Sequence, residues 1–535
     1  MAAMAEKTAV ATRPMPPPAA VLPLPEPAVD ARTWIAIFAA ILGVFMAILD
    51  IQVTNASLRE IRGALSATVE EGSWMTTSYL AAEVVVIPLT AFFVRVFGAR
   101  VYMLGNVVLF LVFSTLCGYA WNLPSMIVFR ALQGFTGGAL IPTAMTLILT
   151  RLPPSKRTIG LAWLMLSSTM APAFGPTLGG VLTNFYGWPS IFFINWAPGV
   201  LMLAGLAYGL AREPLQLKLL READWLAIAA MTVGLGSLIV FLEEGNSKDW
   251  FASDLIRACA LAALLGIVAW VAILQTRSKP FVNLALFARR TFGVSSLVGA
   301  AAGMGLYGST FVLPLFLSEI AGYNSLQIGE VIMWMGLPQI VMMPLAAAFA
   351  KRFDNRVICS LGLLLFAGSC FMNATMDATT GYDQLVFSQV LRALGQPLIV
   401  LTLSNFAIHR IEAANLSSAS GLYNMSRILG GAVGTAVLAT TITWREHFHS
   451  ARIGESVSLF SDAVQERLGQ LTSQFLAGSG DPVAAQQQAL AALDHLVRRE
   501  AYVLAYTDSF FILGCVLLAS IAVMWLADRV VAGGK

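Results

Sequence analysis

Three ionisable residues stand out because they interrupt long apolar stretches of the chain. Asp50, Glu83 and Arg130 each lie within a run of about 20 mostly apolar residues, the length that crosses a bilayer. A charge at bilayer depth costs roughly 2.5–3.5 kcal/mol on insertion scales, so such residues are normally functional or paired. Desolvation favours a protonated carboxyl group and a nearby arginine favours the ionised form, so a buried acid can exchange protons near neutral pH. We expect Asp50 and Glu83 to carry a proton and Arg130 to be their counter-charge; the alternative is structural ion pairing.

A second set of residues has the side chains that bind amphipathic molecules. Aromatic rings supply adaptable apolar area, and amide groups orient a ligand through hydrogen bonds. The candidates lie in or beside the apolar stretches: Gln52, Asn55, Trp74, Tyr79, Phe192, Phe193, Asn195 and Asn405. The sequence therefore predicts binding of bulky amphipathic compounds, with ordinary helix packing as the alternative for each residue.

One apolar stretch is rich in proline and glycine. It contains Pro172, Gly175, Pro176, Gly179 and Gly180. Glycines four residues apart let helices approach closely, and proline inside a helix kinks it. We expect a kinked helix in close contact with a neighbour.

The remaining chemistry-bearing residues suggest no catalytic site. The sequence contains no GxSxG motif of a hydrolase and no GxxxxGK[ST] motif for nucleotide binding. The four histidines and five cysteines form no HExxH or CxxC motif for zinc. We therefore expect no enzymatic activity, no metal and no cofactor, with protons as the coupling ion. Arg427 and Asp508 also lie in apolar stretches, where a structural role is favoured but not assigned.

The composition indicates what surrounds these residues. Of the 535 residues, 57% are hydrophobic and 12% charged, against roughly 45–50% and about 25% in soluble domains. The outer surface must therefore face lipid. A formal net charge of +3 does not suggest a nucleic-acid partner. The sequence predicts an all-α integral membrane protein.

Apolar stretches long enough to cross a membrane recur along the whole chain. We count fourteen: 34–54, 74–94, 102–120, 125–149, 159–182, 190–210, 225–243, 255–275, 292–317, 327–349, 356–375, 384–408, 417–443 and 505–529. Lys and Arg are concentrated in alternate short loops, whereas the opposite loops hold only Arg59, Arg62, Lys248 and Arg257. The positive-inside rule then places both termini in the cytoplasm.

An internal repeat divides the chain into two halves. Residues 88–101 align without gaps with 344–357, and Arg130-Ala131-Leu132 aligns with Arg392-Ala393-Leu394. The predicted domains are a disordered Pro-rich cytoplasmic tail (1–33), an N-terminal six-helix bundle (34–210), two inserted transmembrane helices (211–280) and a C-terminal six-helix bundle (281–535). Within the last domain, apolar residues at helical spacing on both sides of Gly478-Ser479-Gly480 predict a periplasmic helical hairpin over 445–500.

Several motifs resemble those of one transporter family. Asp50 lies in Leu49-Asp50-Ile51-Gln52-Val53-Thr54-Asn55, Arg130 in Arg130-Ala131-Leu132-Gln133-Gly134, and Pro172–Gly180 is similar to an antiporter motif of the GPxxGG type. Phe192-Phe193-Ile194-Asn195 stands where the family has an FFxN stretch. In this order the motifs resemble the major facilitator superfamily, specifically its fourteen-span drug:proton antiporter branch of EmrB/QacA type.

The resemblance implies a fold and a function. It implies two pseudo-symmetric six-helix bundles plus two inserted helices, and proton-driven efflux of amphipathic toxic compounds across the inner membrane by alternating access. It also implies that the Pro172–Gly180 stretch favours antiport over leak, and that a periplasmic adaptor protein and an outer-membrane channel act as partners. The alternatives are a dedicated exporter of an endogenous metabolite or siderophore, and a membrane sensor or scaffold that transports nothing.

One loop departs from the family pattern. Arg95 stands where the family usually has an acidic residue and Val96 where it has a basic one, while Gly98 and Arg100 are kept. We therefore do not expect the family's cytoplasmic ion pair in its usual form.

Overall fold

The computed structural model describes residues 29–277, 282–412, 415–458 and 461–530, and within these ranges its secondary structure is helical. Thirteen of the described helices are long and apolar enough to cross a membrane. One of them, α3 (Val69–Gly118), has 50 residues, about 75 Å of helix and more than twice the thickness of a bilayer core. Gly98, with φ 75° and ψ 152°, breaks it into two spans. The helices thus supply the fourteen predicted spans.

The N-terminal half contains spans one to six. Its helices are α1 (Ala31–Ala56), α2 (Leu58–Ala64), α3, α4 (Leu123–Gly137), α5 (Leu140–Arg151), α6 (Pro154–Tyr186), α7 (Ser190–Phe193) and α8 (Trp196–Gly209). Most of the tail predicted for residues 1–33 lies outside the described residues. Helix α1 begins at Ala31, within the predicted tail. No proline follows Pro27 in this tail, and the Asp30 carbonyl accepts a hydrogen bond from the N–H of Thr33.

The inserted pair follows the short helix α9 (Lys218–Glu222). It consists of α10 (Trp225–Gly245) and α11 (Asp254–Thr276), which pack against each other where Gly234 meets Gly266. Helix α10 also contacts α3 of the N-terminal half.

The C-terminal half contains the last six spans. Its helices are α12 (Arg290–Glu319), α13 (Ser325–Ile332), α14 (Gln339–Arg352), α15 (Asn355–Asn373), α16 (Tyr382–Ile408), α17 (Leu416–Ser456), α18 (Asp462–Ser479) and α19 (Pro482–Met524). Span ten is formed by α13 and α14 together, joined by a short 3₁₀ turn. The repeated arginines, Arg130 on α4 and Arg392 on α16, are both buried.

The segment predicted as an outer hairpin is built from α18 and from the ends of two helices of 41 and 43 residues, each longer than one membrane crossing requires. Helix α17 runs on to Ser456, α18 ends at Ser479, and α19 begins at Pro482 and continues without interruption into the last span. Gly480 has a φ of 68°, and the Asp481 side chain accepts from the N–H of Val483. A glycine with left-handed backbone followed by a capping acid and a first-turn proline explains the break and restart.

Candidate functional site

Asp50 is the centre of a buried polar network in the N-terminal half. Its carboxylate accepts hydrogen bonds from Arg130 Nη1 at 2.6 Å, Gln133 Nε2 at 3.0 Å and Asn195 Nδ2 at 2.6 Å. Asp50 is 2% exposed and Arg130 0% exposed. Three separate elements, α1, α4 and the junction of α7 with α8, therefore converge on one carboxylate.

Arg130 is held by more than its ion pair with Asp50. Its Nη1 also donates to Gln133 Oε1 at 2.7 Å, its Nε donates to the Met75 carbonyl at 3.3 Å, and its guanidinium lies 4.4 Å from the Tyr79 ring centroid. A buried ion pair offsets its desolvation cost only when further hydrogen bonds satisfy both partners. The surrounding groups supply such bonds to Arg130 Nη1 and Nε, whereas the buried Nη2 has no hydrogen-bond partner among the described residues.

Local helix geometry explains part of this arrangement. Arg130 and Gln133 are three residues apart and therefore share one face of α4. Asn195 is oriented by a second bond, from its Nδ2 to Ser114 Oγ at 3.0 Å, and the Ser114 hydroxyl donates to the Phe192 carbonyl at 2.8 Å. The sequence analysis included Gln133 only within a motif and did not identify Ser114 as a site residue. The spacing of three residues between Arg130 and Gln133 could have predicted that Gln133 lies beside Arg130.

Glu83 lies apart from the Asp50–Arg130 pair. It is buried on α3 against Gly138, and none of the ion pairs between described residues includes it. One turn farther along α3, a Cβ on Gly421 of α17 would lie 3.3 Å from the Ile87 carbonyl oxygen, and α17 also carries the buried Arg427. The expectation that Arg130 is the shared counter-charge thus fits Asp50 closely, whereas Glu83 faces the junction with the C-terminal half. The proton-carrying roles of both acids stay predictions.

The proline- and glycine-rich stretch forms the contact between α6 and α1. Pro172, Gly175 and Gly179 are buried, and Pro176 and Gly180 are half-buried. A Cβ on Gly175 would overlap the Gln52 side chain, and one on Gly179 would lie 2.9 Å from the Val53 carbonyl oxygen. Glycine is required here because α6 lies against the backbone of the helix that carries Asp50.

The eight candidate substrate-binding residues do not come together in one place. Tyr79, Phe192 and Asn195 surround the Asp50–Arg130 pair, where they position it. The Phe193 ring packs against the Tyr119 ring at a tilt of 53°, with centroids 5.4 Å apart.

The other candidates occupy different environments. Gln52 packs on Gly175, Asn55 is exposed and accepts from Thr76 Oγ1 at 2.8 Å, and Trp74 is half-buried. Asn405 is buried on α16, and its Nδ2 has no hydrogen-bond partner among the described residues. The eight residues therefore do not line one pocket in this structure, because helix packing disperses residues that hydropathy alone groups together. Their roles in substrate binding stay predictions.

Two further acidic sites were missed in the sequence. On the inserted helix α10, fully buried Glu244 accepts from Ser73 Oγ at 2.8 Å and Thr77 Oγ1 at 2.7 Å, both on α3. The adjacent Glu243 accepts from Thr435 Oγ1 of α17 at 3.5 Å. The two carboxylates thus contact opposite halves of the protein.

The other missed acid replaces the absent loop carboxylate. Glu213, which follows span six, pairs with Arg151 Nη2 at 2.7 Å and accepts from the N–H of Ala99 at 2.9 Å. An ion pair therefore does exist beside Gly98, with its acid supplied by a distant loop.

The repeat places an acid at the same location in the C-terminal half. Asp354 lies between α14 and α15 and pairs with Arg356 at 2.9 Å. Burial raises the pKa of Asp354, but hydrogen bonds from Arg356 and the charges of Arg356 and Arg529 outweigh it, so the pKa is lowered.

The last two spans carry an ion-paired acid outside the Asp50 network. Asp508 of α19 accepts from Arg445 Nε at 2.6 Å and lies 2.8 Å from His449 Nε2, both on α17. These contacts join α17 to α19. Across the described residues, no three His, Cys, Asp or Glu side chains are grouped as metal ligands.

Comparison with known proteins identifies the family. A model of the Major Facilitator Superfamily matches residues 40–435. The chain is 34% identical over 500 residues to the colistin resistance protein EmrB of Acinetobacter baumannii, covering 93% of this chain and 97% of the relative. It is 28% identical over 486 residues to the fatty acid resistance protein FarB of Neisseria gonorrhoeae, covering 91% and 94%.

Solved structures agree on the fold. The human organic anion transporter MFSD10 (TETRAN) superposes with a TM-score of 0.58 at 12% identity, covering 92% of this chain and 100% of that one. The family model spans most of the chain. The helices of the chain provide fourteen membrane spans in two related halves. This chain is therefore a multi-pass membrane protein that belongs to the Major Facilitator Superfamily.

Proposed function

We propose that this protein is a proton-driven exporter of amphipathic toxic compounds in the inner membrane, working by alternating access. The observation that carries the proposal is the fully buried Asp50–Arg130 pair. A carboxylate in this position has two stable arrangements: ionised and paired with Arg130, or protonated with Arg130 released to other acceptors. A proton can therefore change contacts between α1, α4 and α8.

The substrate class is proposed from two relatives. One relative is named for resistance to colistin and the other for resistance to fatty acids. Both compounds are amphipathic and differ in charge, which favours a broad preference for membrane-active molecules over one tightly defined ligand.

The two halves supply the moving parts. Helices α3 and α17 meet across the junction, as do α5 with α17 and α6 with α13 and α14. When one half rocks against the other, some of these contacts between helices of the two halves would separate while the others are kept.

Proton entry would supply enough free energy. A membrane potential of 100 mV provides about 2.3 kcal/mol per charge. A pH difference of one unit adds about 1.4 kcal/mol per proton. One proton could then support a substrate gradient of a few hundredfold, since about 1.4 kcal/mol corresponds to tenfold.

Orientation and partners belong to the same proposal. The basic loops support an orientation with both termini in the cytoplasm. In that orientation the hairpin of α17, α18 and α19 would lie in the periplasm. Val483 and Leu490 expose apolar side chains on this hairpin. It is our candidate contact for a periplasmic adaptor protein that passes substrate to an outer-membrane channel.

The test is substrate-linked proton movement in energised inverted vesicles. Wild-type protein should release protons from the lumen when an exported dye is added. Asp50→Asn should abolish this release, because the amide cannot take up a proton. Asp508→Asn is the matched control: its carboxylate lies outside the network and contacts Arg445 and His449, so coupling should persist.

Two results would contradict the proposal. Proton release by Asp50→Asn equal to that of wild type would remove Asp50 from the coupling step. Absence of substrate-linked proton movement with folded wild-type protein and a broad compound panel would favour a dedicated metabolite or siderophore exporter, or a membrane protein that transports nothing.

A further inference from the structure

A cleft between α6 and α14 plays no part in the proposed coupling. Its volume is about 470 Å³, within the range of roughly 300–1,000 Å³ typical of small-molecule sites. Trp163 and Leu166 of α6 form one wall, and Met343 and Ala347 of α14 form the other. Helix α6 belongs to the N-terminal half and α14 to the C-terminal half, so the cleft lies between the two halves.

The cleft lies near the beginning of α6 and the end of α14, where Lys351 and Arg352 are located. Farther along, α6 packs closely on the C-terminal half, since a Cβ on Gly336 would lie 2.6 Å from the Cβ of Ala173. Beside the cleft, α14 exposes Val341 and Leu345. Apolar side chains exposed on a transmembrane helix face lipid, so the cleft opens sideways toward the bilayer.

Two basic residues mark one end of this apolar cleft. Lys351 and Arg352 form part of its lining and lie in the last turn of α14. Among the ion pairs between described residues neither has a carboxylate partner, and no acidic residue belongs to the lining.

Trp163 gives the cleft a fixed aromatic wall. It is 46% exposed, and its ring packs edge-on against Phe38 of α1 with centroids 5.9 Å apart. Tryptophan together with Lys and Arg at helix ends is typical of the level of lipid head groups. The cleft therefore combines apolar depth with positive charge at the membrane surface.

We propose that the α6–α14 cleft binds a long-chain carboxylate taken from the adjacent membrane leaflet. The chain lies between Trp163 and Met343, and the carboxylate contacts Lys351 and Arg352, which can donate charge-assisted hydrogen bonds. A single groove between two helices accommodates one chain, which favours a fatty acid over a phospholipid with two chains. Its role as an entrance for exported anionic amphiphiles rests on the proposed export function, whereas the binding itself does not.

The test is photolabelling of the full-length protein in phosphatidylcholine nanodiscs with a long-chain fatty acid that carries a diazirine at its chain end. Cross-links should map to the walls of the cleft. Lys351→Gln/Arg352→Gln should weaken labelling about thirtyfold, the combined effect of two basic groups at a membrane surface. Lys218→Gln/Arg221→Gln on α9 is the matched control and should label like wild type.

A second pair of variants tests the cleft without changing charge. Ala348→Trp places a ring inside the cleft and should block labelling, whereas Leu345→Trp, on the lipid-facing side of the same helix, should not. If the cleft is an entrance, Lys351→Gln/Arg352→Gln should also lower efflux of an anionic amphiphile while efflux of a cationic dye is retained.

Several outcomes would overturn the inference. Equal labelling of wild type and the Lys351→Gln/Arg352→Gln variant would do so, as would equal competition by a long-chain amine. Displacement of the label by phosphatidylglycerol would assign the cleft to structural lipid. If wild-type protein exports no compound, the proposed function fails, but the labelling pattern still decides whether the cleft binds a carboxylate.

Discussion

Asp50 and Arg130 place opposite charges where water cannot reach them. Burying an ion pair costs free energy, and the cost is offset only if the remaining donors and acceptors are satisfied. Gln133 is the residue that bonds to both partners: its Nε2 donates to Asp50 and its Oε1 accepts from Arg130. It therefore determines how the two charges are held relative to each other, and any change in their pairing must also change its bonds.

Gln133→Leu tests this role at nearly constant side-chain volume. It removes both bonds and leaves the ion pair under-satisfied, which costs about 1–3 kcal/mol. We expect a lower unfolding temperature and reduced proton-linked efflux. Gln389→Leu is the matched control, because the buried Gln389 Oε1 has no hydrogen-bond partner among the described residues and its Nε2 donates only to the adjacent Ser388 Oγ, at 3.1 Å. Equal losses in the two variants, measured by thermal unfolding and vesicle efflux, would contradict the argument.

At the scale of elements, close contacts at glycine set the position of the helix that carries Asp50. Helix α6 approaches α1 at Gly175 and Gly179, where side chains would collide with Gln52 and the Val53 carbonyl. Moving α1 outward would also move Asp50 away from α4 and the α7–α8 junction. The glycine stretch and the polar network are therefore mechanically linked.

Gly175→Val should displace α1 and weaken the network. We expect less efflux and a faster passive proton leak in vesicles, because the sealed contact between α1 and α6 opens. Gly105→Val is the matched control, since nothing lies within 4 Å of the position its Cβ would take. A leak rate in Gly175→Val no higher than in Gly105→Val would show that the contact does not seal the route.

The inserted helices are also fixed by specific contacts. Glu244 anchors α10 to α3 through two hydroxyl groups, while Glu243 approaches α17. The insertion is therefore attached to both halves, and its acids contribute unequally because Glu244 has the shorter bonds.

Glu244→Gln should destabilise the protein more than Glu243→Gln does. Ser73 and Thr77 both donate to Glu244 Oε1, and Ser73 also donates to Oε2 at 2.9 Å. An amide keeps one acceptor oxygen, so the bond to the second oxygen is lost and an N–H group takes its place beside the Ser73 hydroxyl. We expect a loss of about 1–3 kcal/mol, measured as a lower unfolding temperature in detergent. A drop in Glu243→Gln as large as in Glu244→Gln would place the main anchor on α17 instead.

On the scale of the whole molecule, the two halves are related by sequence but differ in charge. Arg130 pairs with Asp50, whereas its repeat partner Arg392 donates to the Leu306 carbonyl at 3.2 Å and lies 5.2 Å from the Phe366 ring centroid. No ion pair between described residues includes Arg392. Of the two repeated arginines, only Arg130 is therefore paired with a carboxylate.

A disulfide across the junction tests whether the halves move. Thr146 of α5 and Ser417 of α17 have hydroxyl oxygens 3.4 Å apart. In a background without native cysteines, Thr146→Cys/Ser417→Cys should lock the halves on oxidation and stop efflux, with recovery on reduction. The control is Ser57→Cys/Thr183→Cys, at two residues whose hydroxyl oxygens are 2.7 Å apart. It joins the residue after α1 to α6 within one half and should stay active. Efflux by the oxidised Thr146–Ser417 cross-link would exclude rocking at this contact.

The sequence by itself determined those features of the protein that depend only on residues close together in the chain. Hydropathy gave the fourteen spans, Gly480, Asp481 and Pro482 marked the last helix boundary, and the cost of charge in lipid singled out Asp50 and Arg130. Each of these signals is local, because span length, capping and insertion cost depend on a short window of chain. The motif resemblance added the family, which the comparisons confirmed.

Only the tertiary structure decided which distant residues meet. Asn195 and Ser114 complete the Asp50 network, and Glu213 replaces the missing loop acid. Glu243 and Glu244 contact opposite halves. The eight proposed ligand-binding residues were dispersed for the same reason. Nearly every span is apolar on all sides, so hydropathy does not reveal which face packs inward. Helix rotation and side-chain packing fix those faces only when the spans are assembled.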